Sequence, residues 1–258
     1  MKTQIDLNSD LGEGFGPWKM GNDSEILSVV TSANVACGGH ASDPETMYAT
    51  LCLAKEKSVI VGAHPGFADR EGFGRRLIPM TPAEIERLIA TQTGALMGAA
   101  ALAGVRVRYI KPHGALSNHC AADRAAAQAV ARATKAFGPD MVLLAISGTE
   151  MEIAAREAGV TVYSEIFADR AYMSSGQLVS RARPDAMIHD PQEAAQRLVR
   201  FLETGLMPVV DGKPIKLDAH SICVHGDSAG AVAMAAEVRR ALIAAGVTLT
   251  SFVGMPRD

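Results

Sequence analysis

The chain has 258 residues, 25 Lys and Arg against 28 Asp and Glu, and a formal net charge of −3. That balance provides no electrostatic footprint for nucleic acid or an anionic membrane surface, so neither is expected as a partner. With 48% hydrophobic and 21% charged residues, the composition is that of a folded globular chain and excludes the polar regime of disorder.

Short β-branched runs alternate with longer Ala- and Leu-rich segments. Hydrophobic period predicts strands at Gln4 to Asn8, Ser32 to Cys37, Ser58 to Ala63, Val107 to Lys111, Met141 to Ile146, Val160 to Ile166, Ser221 to His225, and a last one at Thr248 to Val253. Between them, Thr81-Pro82-Ala83-Glu84 and Asp190-Pro191-Gln192-Glu193 have the composition of capped helix starts, since a short polar side chain accepts from orphan N–H groups and Pro suits the first turn. Gly104, Gly159, Gly205 and Gly246 follow periodic stretches, where a left-handed stop is expected. Strands separated by helices imply parallel pairing through right-handed crossovers, in an open sheet or a closed barrel.

The strand ends favour the barrel, which draws its chemistry from the C-terminal ends of most strands rather than from one crevice. Asp6, Asn8 and Asp10 alternate with Ile5 and Leu7, while Asn34 with His40, His64, Lys111 with His113, Glu165 with Asp169, and His225 with Asp227 end later strands. The expectation is one α/β domain, a (β/α) barrel over residues 1–258. Two loops are too long for plain connectors, one from His64 to Pro79 and one from Ala168 to Asp185, and both carry Arg. Asp211-Gly212 between alternating residues predicts a small hairpin. The four cysteines show no metal or disulfide spacing; with no signal-like N-terminus and no run of about 18 apolar residues, a reducing cytoplasm is expected.

There is no GxxxxGK[ST] and no HExxH, so neither a phosphate loop nor that zinc motif is present. Gly12, Gly14 and Gly16 follow the first strand, but Pro17 stands where a third fingerprint glycine belongs, which argues against dinucleotide binding. Gly226-Asp227-Ser228-Ala229-Gly230 has the GxSxG spacing of a nucleophile elbow, yet no His follows Ser228, and that hydrolase fold places its His after the Ser. A helix N-cap at Asp227 or Ser228 suits the segment better.

Of seven His, five (His40, His64, His113, His220 and His225) lie at or near strand ends. Several imidazoles gathered with Asp10 and Glu13 make a centre able to polarise a carbonyl and activate water. Lys111 shares the inward side of its strand with Tyr109 and His113, where a cation needs a partner. Arg70, Arg75, Arg76, Arg170, Arg181 and Arg183, on the long loops, suit a carboxylate or phosphate, or ordinary surface pairing with nearby acids.

The strand-end motifs together resemble the LamB/YcsF family. They are Asp6-Leu7-Asn8-Ser9-Asp10-Leu11-Gly12-Glu13, Asn34-Val35-Ala36-Cys37-Gly38-Gly39-His40, Ala63-His64-Pro65-Gly66, Gly74-Arg75-Arg76, Lys111-Pro112-His113-Gly114-Ala115-Leu116, Glu165 to Tyr172, and Cys223-Val224-His225-Gly226-Asp227. The resemblance implies a seven-stranded (β/α) barrel related to glycoside hydrolases and polysaccharide deacetylases. It also implies ATP-dependent opening of 5-oxoproline to L-glutamate by a 5-oxoprolinase whose partner subunits, B and C, share the ATP chemistry. The chain departs from the family's usual pattern at Gly39, where Phe is common, at Ser42, where Gly is common, and at Ser117, where Tyr is common. A wider pocket is therefore expected.

On chemical grounds, Asp10 or Glu13, with His40 and His64, would orient and deprotonate water. Lys111 and His113 would stabilise developing charge and assist departure of the ring nitrogen. Asn34 would position the ring, Arg75 or Arg170 would hold a carboxylate or phosphate, and Asn8, Glu165, His225 and Asp227 complete the expected substrate-binding set. Two other readings stay open. One is a metal-dependent deacetylase or amidohydrolase with Asp10, His40 and His64 or His113 as ligands of a divalent ion; the other is a non-catalytic protein that binds a small acid.

Overall fold

The computed structural model describes residues 2–226 and 230–254. The first half contains β1 (Gln4–Leu11), α1 (Asp23–Ile26), β2 (Ser32–Ala36), α2 (Pro44–Glu56), β3 (Ile60–His64), α3 (Pro82–Ala103), β4 (Val107–Ile110), α4 (Gly114–Ala122) and α5 (Arg124–Ala136). The second half contains β5 (Val142–Ile146), α6 (Glu150–Glu157), β6 (Val162–Phe167), α7 (Pro191–Thr204), β7 (Leu206–Met207), β8 (Ile215–Lys216), β9 (Ser221–Cys223), α8 (Ala231–Ala244) and β10 (Thr248–Leu249).

Strands β1 to β6 and β9 pair in parallel, and β9 returns to β1, closing a seven-stranded barrel. The helix ends follow their sequence signals: Thr81 and Glu84 exchange both bonds of a capping box, and Gly104 and Gly205 stop α3 and α7 at φ 66° and 70°. Period 2 then sorts each strand. Along β1, Ile5 and Leu7 are fully buried in the large apolar layer shared with the helices, each contributing about 1.5–3 kcal/mol. The alternating Asp6, Asn8 and Asp10 take part in polar contacts across the barrel interior.

The strand bounds differ from expectation where polar residues line the interior. β1 runs to Leu11 rather than Asn8, because Asp10 and Leu11 stay in register with Asn34 and Val35. β9 ends at Cys223, two residues before His225. The expected eighth strand shrinks to Thr248–Leu249, pairs only with Gln4 and Ile5, and stays outside the closed ring. The chain then delivers Phe252 beneath the barrel, its ring 4.8 Å from that of Tyr109 and 5.2 Å from that of Tyr163. Gly62 makes room for this floor, since a Cβ there would fall 2.1 Å from the Tyr109 ring. β7 and β8 form the antiparallel hairpin expected around Asp211-Gly212.

Candidate active site

The barrel interior is stacked in polar layers. Lowest is Asp6, which accepts from Thr31 and Ser32 at 2.6 Å each and from Ser221. Burial pushes its carboxyl up to about 6, against the pull of those hydroxyls. Above it, Asn8 Nδ2 donates to Glu165 Oε1 at 2.8 Å and Ser221 Oγ at 2.6 Å. Asn34 Nδ2 donates to Asn8 Oδ1 at 2.6 Å and Asp10 Oδ1 at 2.8 Å, while Tyr109 Oη donates to Asn34 Oδ1 at 2.6 Å.

Lys111 crowns these layers at 4% exposure. Its Nζ lies 2.9 Å from Asp10 Oδ1, 3.0 Å from Glu165 Oε1 and 3.0 Å from Cys223 Sγ. Burial opposes its charge, but Asp10, Cys223 and Glu165 hold the ammonium well above its usual range. Burial likewise opposes ionisation of Asp10, yet His64 and Lys111 beside it keep that carboxyl well below the usual carboxylate range. Burial raises Glu165 despite Lys111, so one barrel interior holds two carboxylates with opposite proton affinities.

His64 and His113 flank this centre, with His40 behind them. His64 Nε2 is 3.3 Å from Asp10 Oδ2, His113 Nδ1 is 2.9 Å from His64 Nε2, and His40 Nε2 is 3.1 Å from Glu13 Oε1. The His40 and His113 rings stack at 3.6 Å and 2°. Burial lowers His40 to about 3 and, with His40 and His64 adjacent, lowers His113 well below the imidazole range. Glu13, His40, His64 and His113 offer ligand atoms within 4.8 Å of one another.

A cavity of about 530 Å³ opens above, lined by Asp10, Glu13, His64, Lys111 and His113 and rimmed by Arg75, Arg170, Arg181 and His225. Residues 177–182 of the long loop after β6 form part of its wall. Arg170 is 4% exposed; one Nη donates to the Val179 carbonyl at 2.7 Å, its Nε has no hydrogen-bond partner, and burial brings its pKa down to about 10.

Several expected substrate contacts move. Asn8, Asn34 and Glu165 lie one layer beneath the cavity, where their polar atoms hold one another, Asp10 and Lys111. Asn34 thus spends its amide N–H on Asn8 and Asp10 and does not line the cavity. Of the loop arginines, Arg75, Arg170 and Arg181 reach the cavity, whereas Arg76 pairs with Asp69, Arg183 with Asp185, and Arg70 covers the Phe15 ring at 3.9 Å. Gly39 does not widen the pocket. The Gln92 amide fills its space, donating to the Gly66 carbonyl at 2.7 Å and accepting from the Gly66 N–H at 3.0 Å. Asp227 and Ser228 lie outside the described residues.

Sequence reasoning misses the pairing of His225 with Asp169. His225 Nδ1 lies 2.8 Å from both Asp169 oxygens, and its Nε2 lies 3.0 Å from Arg181. Burial raises the Asp169 carboxyl but His225 outweighs it, for a net lowering. The two residues follow strands adjacent in the ring but 56 positions apart in sequence; each is recognisable as a strand-end residue, and only the barrel order joins them.

The fold and site thus define a (β/α)7-barrel protein with a buried carboxylate, lysine and histidine centre under an arginine-rimmed cavity. The LamB/YcsF family pattern matches residues 5–257, and the chain belongs to that family. It is 50% identical over 252 residues to the A component of a 5-oxoprolinase from Rhodopseudomonas palustris, covering 97% of this chain and 99% of that one. A lactam utilization protein from Thermus thermophilus superposes with TM-score 0.90 at 42% identity, over 96% of this chain and 99% of that one. A deacetylase solved with substrate shares the fold, with TM-score 0.51 at 16% identity over 97% and 89% of the two chains. Among the described residues no helix is long and apolar enough to cross a membrane.

Proposed function

We propose that this chain opens the five-membered lactam of 5-oxoproline to L-glutamate, as the A component of a 5-oxoprolinase that consumes ATP with partner subunits B and C. The observation that carries this reading is the near-complete, 50% identical match to a relative of that name. The cavity supports it: Arg75, Arg170 and Arg181 line it together with Asp10 and Glu13, and arginines suit a substrate bearing its own carboxylate or a phosphate.

A lactam carbonyl is a poor electrophile because nitrogen donates into it. Phosphorylating the amide oxygen removes that protection and explains the ATP requirement. This sequence has no GxxxxGK[ST] loop, so the phosphoryl chemistry is assigned to the assembled complex. Asp10, held ionised by Lys111, and His64 at 3.3 Å orient the attacking water. Lys111 offsets charge developing on the carbonyl side, and the departing nitrogen takes up a proton from the attacking water. Its departure leaves a γ-carboxyl phosphate, which a second water cleaves to glutamate and inorganic phosphate, while the arginine rim holds the carboxylate or phosphate.

The test is reconstitution: this protein, its B and C partners, ATP and 5-oxoproline, with glutamate as the readout and omission of this chain as the control. Glutamate that requires the chain supports the proposal. ATP turnover without glutamate would reject 5-oxoproline in favour of another cyclic amide.

A further inference from the structure

The three buried histidines are held in a way that neutral imidazoles alone do not explain. His64 Nδ1 lies 2.7 Å from the Lys111 carbonyl, which only accepts, so a neutral ring there carries its proton on Nδ1 and presents a lone pair at Nε2. His113 Nε2 lies 2.9 Å from the Phe73 carbonyl, so its proton is on Nε2 and its Nδ1 presents a lone pair. These two lone-pair nitrogens face each other at 2.9 Å, with Glu13 Oε1 3.6 Å from His113 Nδ1. With both rings neutral, these acceptors, Glu13 Oε1 and Asp10 Oδ2, which is 3.3 Å from His64 Nε2, repel one another unless a cation, either a proton on His64 Nε2 or a metal ion, lies among them.

We propose that Glu13, His64 and His113 form a binding site for one divalent transition-metal ion of the zinc class. Two imidazole nitrogens and a carboxylate suit that class by donor type. Metal–ligand bonds of about 2.0–2.1 Å at tetrahedral angles separate donors by about 3.3 Å; two of the three spacings here, 2.9 and 3.6 Å, bracket it, and the third, between Glu13 and His64, lies within 4.8 Å. Backbone carbonyls that accept the far N–H of each ring fix its tautomer and aim, the usual support for ligating imidazoles. His40 completes that support: its Nε2 is 3.1 Å from Glu13 Oε1, orienting the carboxylate, while its Nδ1 has no hydrogen-bond partner.

All three donors line the cavity, which leaves a fourth position open toward a ligand, as in catalytic rather than structural sites. Asp10 is not among the donors. Its Oδ1 is held by Lys111 and Asn34, while its Oδ2, 3.3 Å from His64 Nε2, borders the site, so an ion would stand beside Asp10 without displacing Lys111. A bound ion supplies Lewis acidity to whichever carbonyl the cavity takes. The site is independent of the substrate proposed above, because metal content is read with no substrate present.

The experiment is elemental analysis of untagged protein purified without chelator, followed by chelator stripping and calorimetric titration with Zn²⁺ alone. One equivalent per chain and one titratable site are expected. His64→Ala and His113→Ala should each weaken Zn²⁺ binding by about 100-fold or more and Glu13→Gln by about 10- to 100-fold, with circular dichroism showing retained fold. His189→Ala, at a histidine outside the barrel centre, should bind as the parent does. Substoichiometric metal together with no heat on Zn²⁺ titration would overturn the site and assign the 2.9 Å contact to a shared proton. Unchanged binding in Glu13→Gln and His64→Ala would equally overturn it.

Discussion

Replacing Lys111 by Met removes, among the described residues, the cation that contacts both Asp10 and Glu165, at 2.9 and 3.0 Å, from a position where all three are at most 7% exposed. Methionine keeps most of the volume, so the change is mainly electrostatic. Breaking a buried pair by removing one partner costs about 3–5 kcal/mol, because the remaining charge is left uncompensated. The variant can escape by binding a proton, and Glu165, already raised by burial, is where it goes. A carboxyl raised further in the folded state gives stability that is present below the unfolded pKa and is lost as pH rises toward the folded one. The deficit should therefore grow by about 1.4 kcal/mol per pH unit above about pH 5 while that proton is held. Urea unfolding of parent and variant should show a loss of about 3–5 kcal/mol at pH 8, shrinking to about 1 kcal/mol near pH 5–6. The double variant Lys111→Met/Glu165→Gln should recover most of the pH 8 loss. A deficit that is flat between pH 5 and pH 8, or a double variant no better than the single one, would refute this account of the centre.

Asp10→Asn keeps the shape but removes the ionised group facing His64 Nε2. Glutamate formation in the reconstituted assay should fall by about 10²–10⁴-fold with the melting transition retained; a fully active variant would remove Asp10 from the water-handling role. Phe252→Ala empties the barrel floor, where the ring is fully buried against Tyr109 and Tyr163, and should cost about 3–5 kcal/mol in denaturant unfolding. A loss under about 1 kcal/mol would mean the floor is not packed as described. Ser42 sits at φ 77° with its buried hydroxyl lacking a hydrogen-bond partner. Ser42→Gly relieves both and should stabilise by about 0.5–1 kcal/mol; destabilisation would contradict that backbone assignment.

How much of this is legible in the sequence depends on whether the information is local. The inward set Asp6, Asn8 and Asp10 and the inward turn of Lys111 with Tyr109 follow from period 2 within one strand, and the capped starts at Thr81 and Asp190 need only neighbouring residues. The end of β1 lies beyond the predicted one for an instructive reason: polar residues facing a barrel interior break the apolar alternation by which a strand is recognised. The Asp169–His225 pair, the sorting of six loop arginines into three at the cavity and three elsewhere, and the use of Gln92 to fill the space at Gly39 all depend on contacts between distant segments. The convergence of lone pairs between His64 and His113 is illegible for the same reason, since it depends on which carbonyl each ring meets.

The floor built from Phe252, Tyr109 and Tyr163 has a kinetic consequence. With aromatic rings across the lower end, the barrel is a blind chamber, and any ligand of the cavity must enter and leave through the arginine-rimmed doorway. A product still seated on Arg170 bars the next arrival, so under the proposed reaction a slow exit would leave the partners' activated lactam waiting outside, exposed to futile hydrolysis. Under the proposed reaction, product inhibition should be competitive with the incoming substrate.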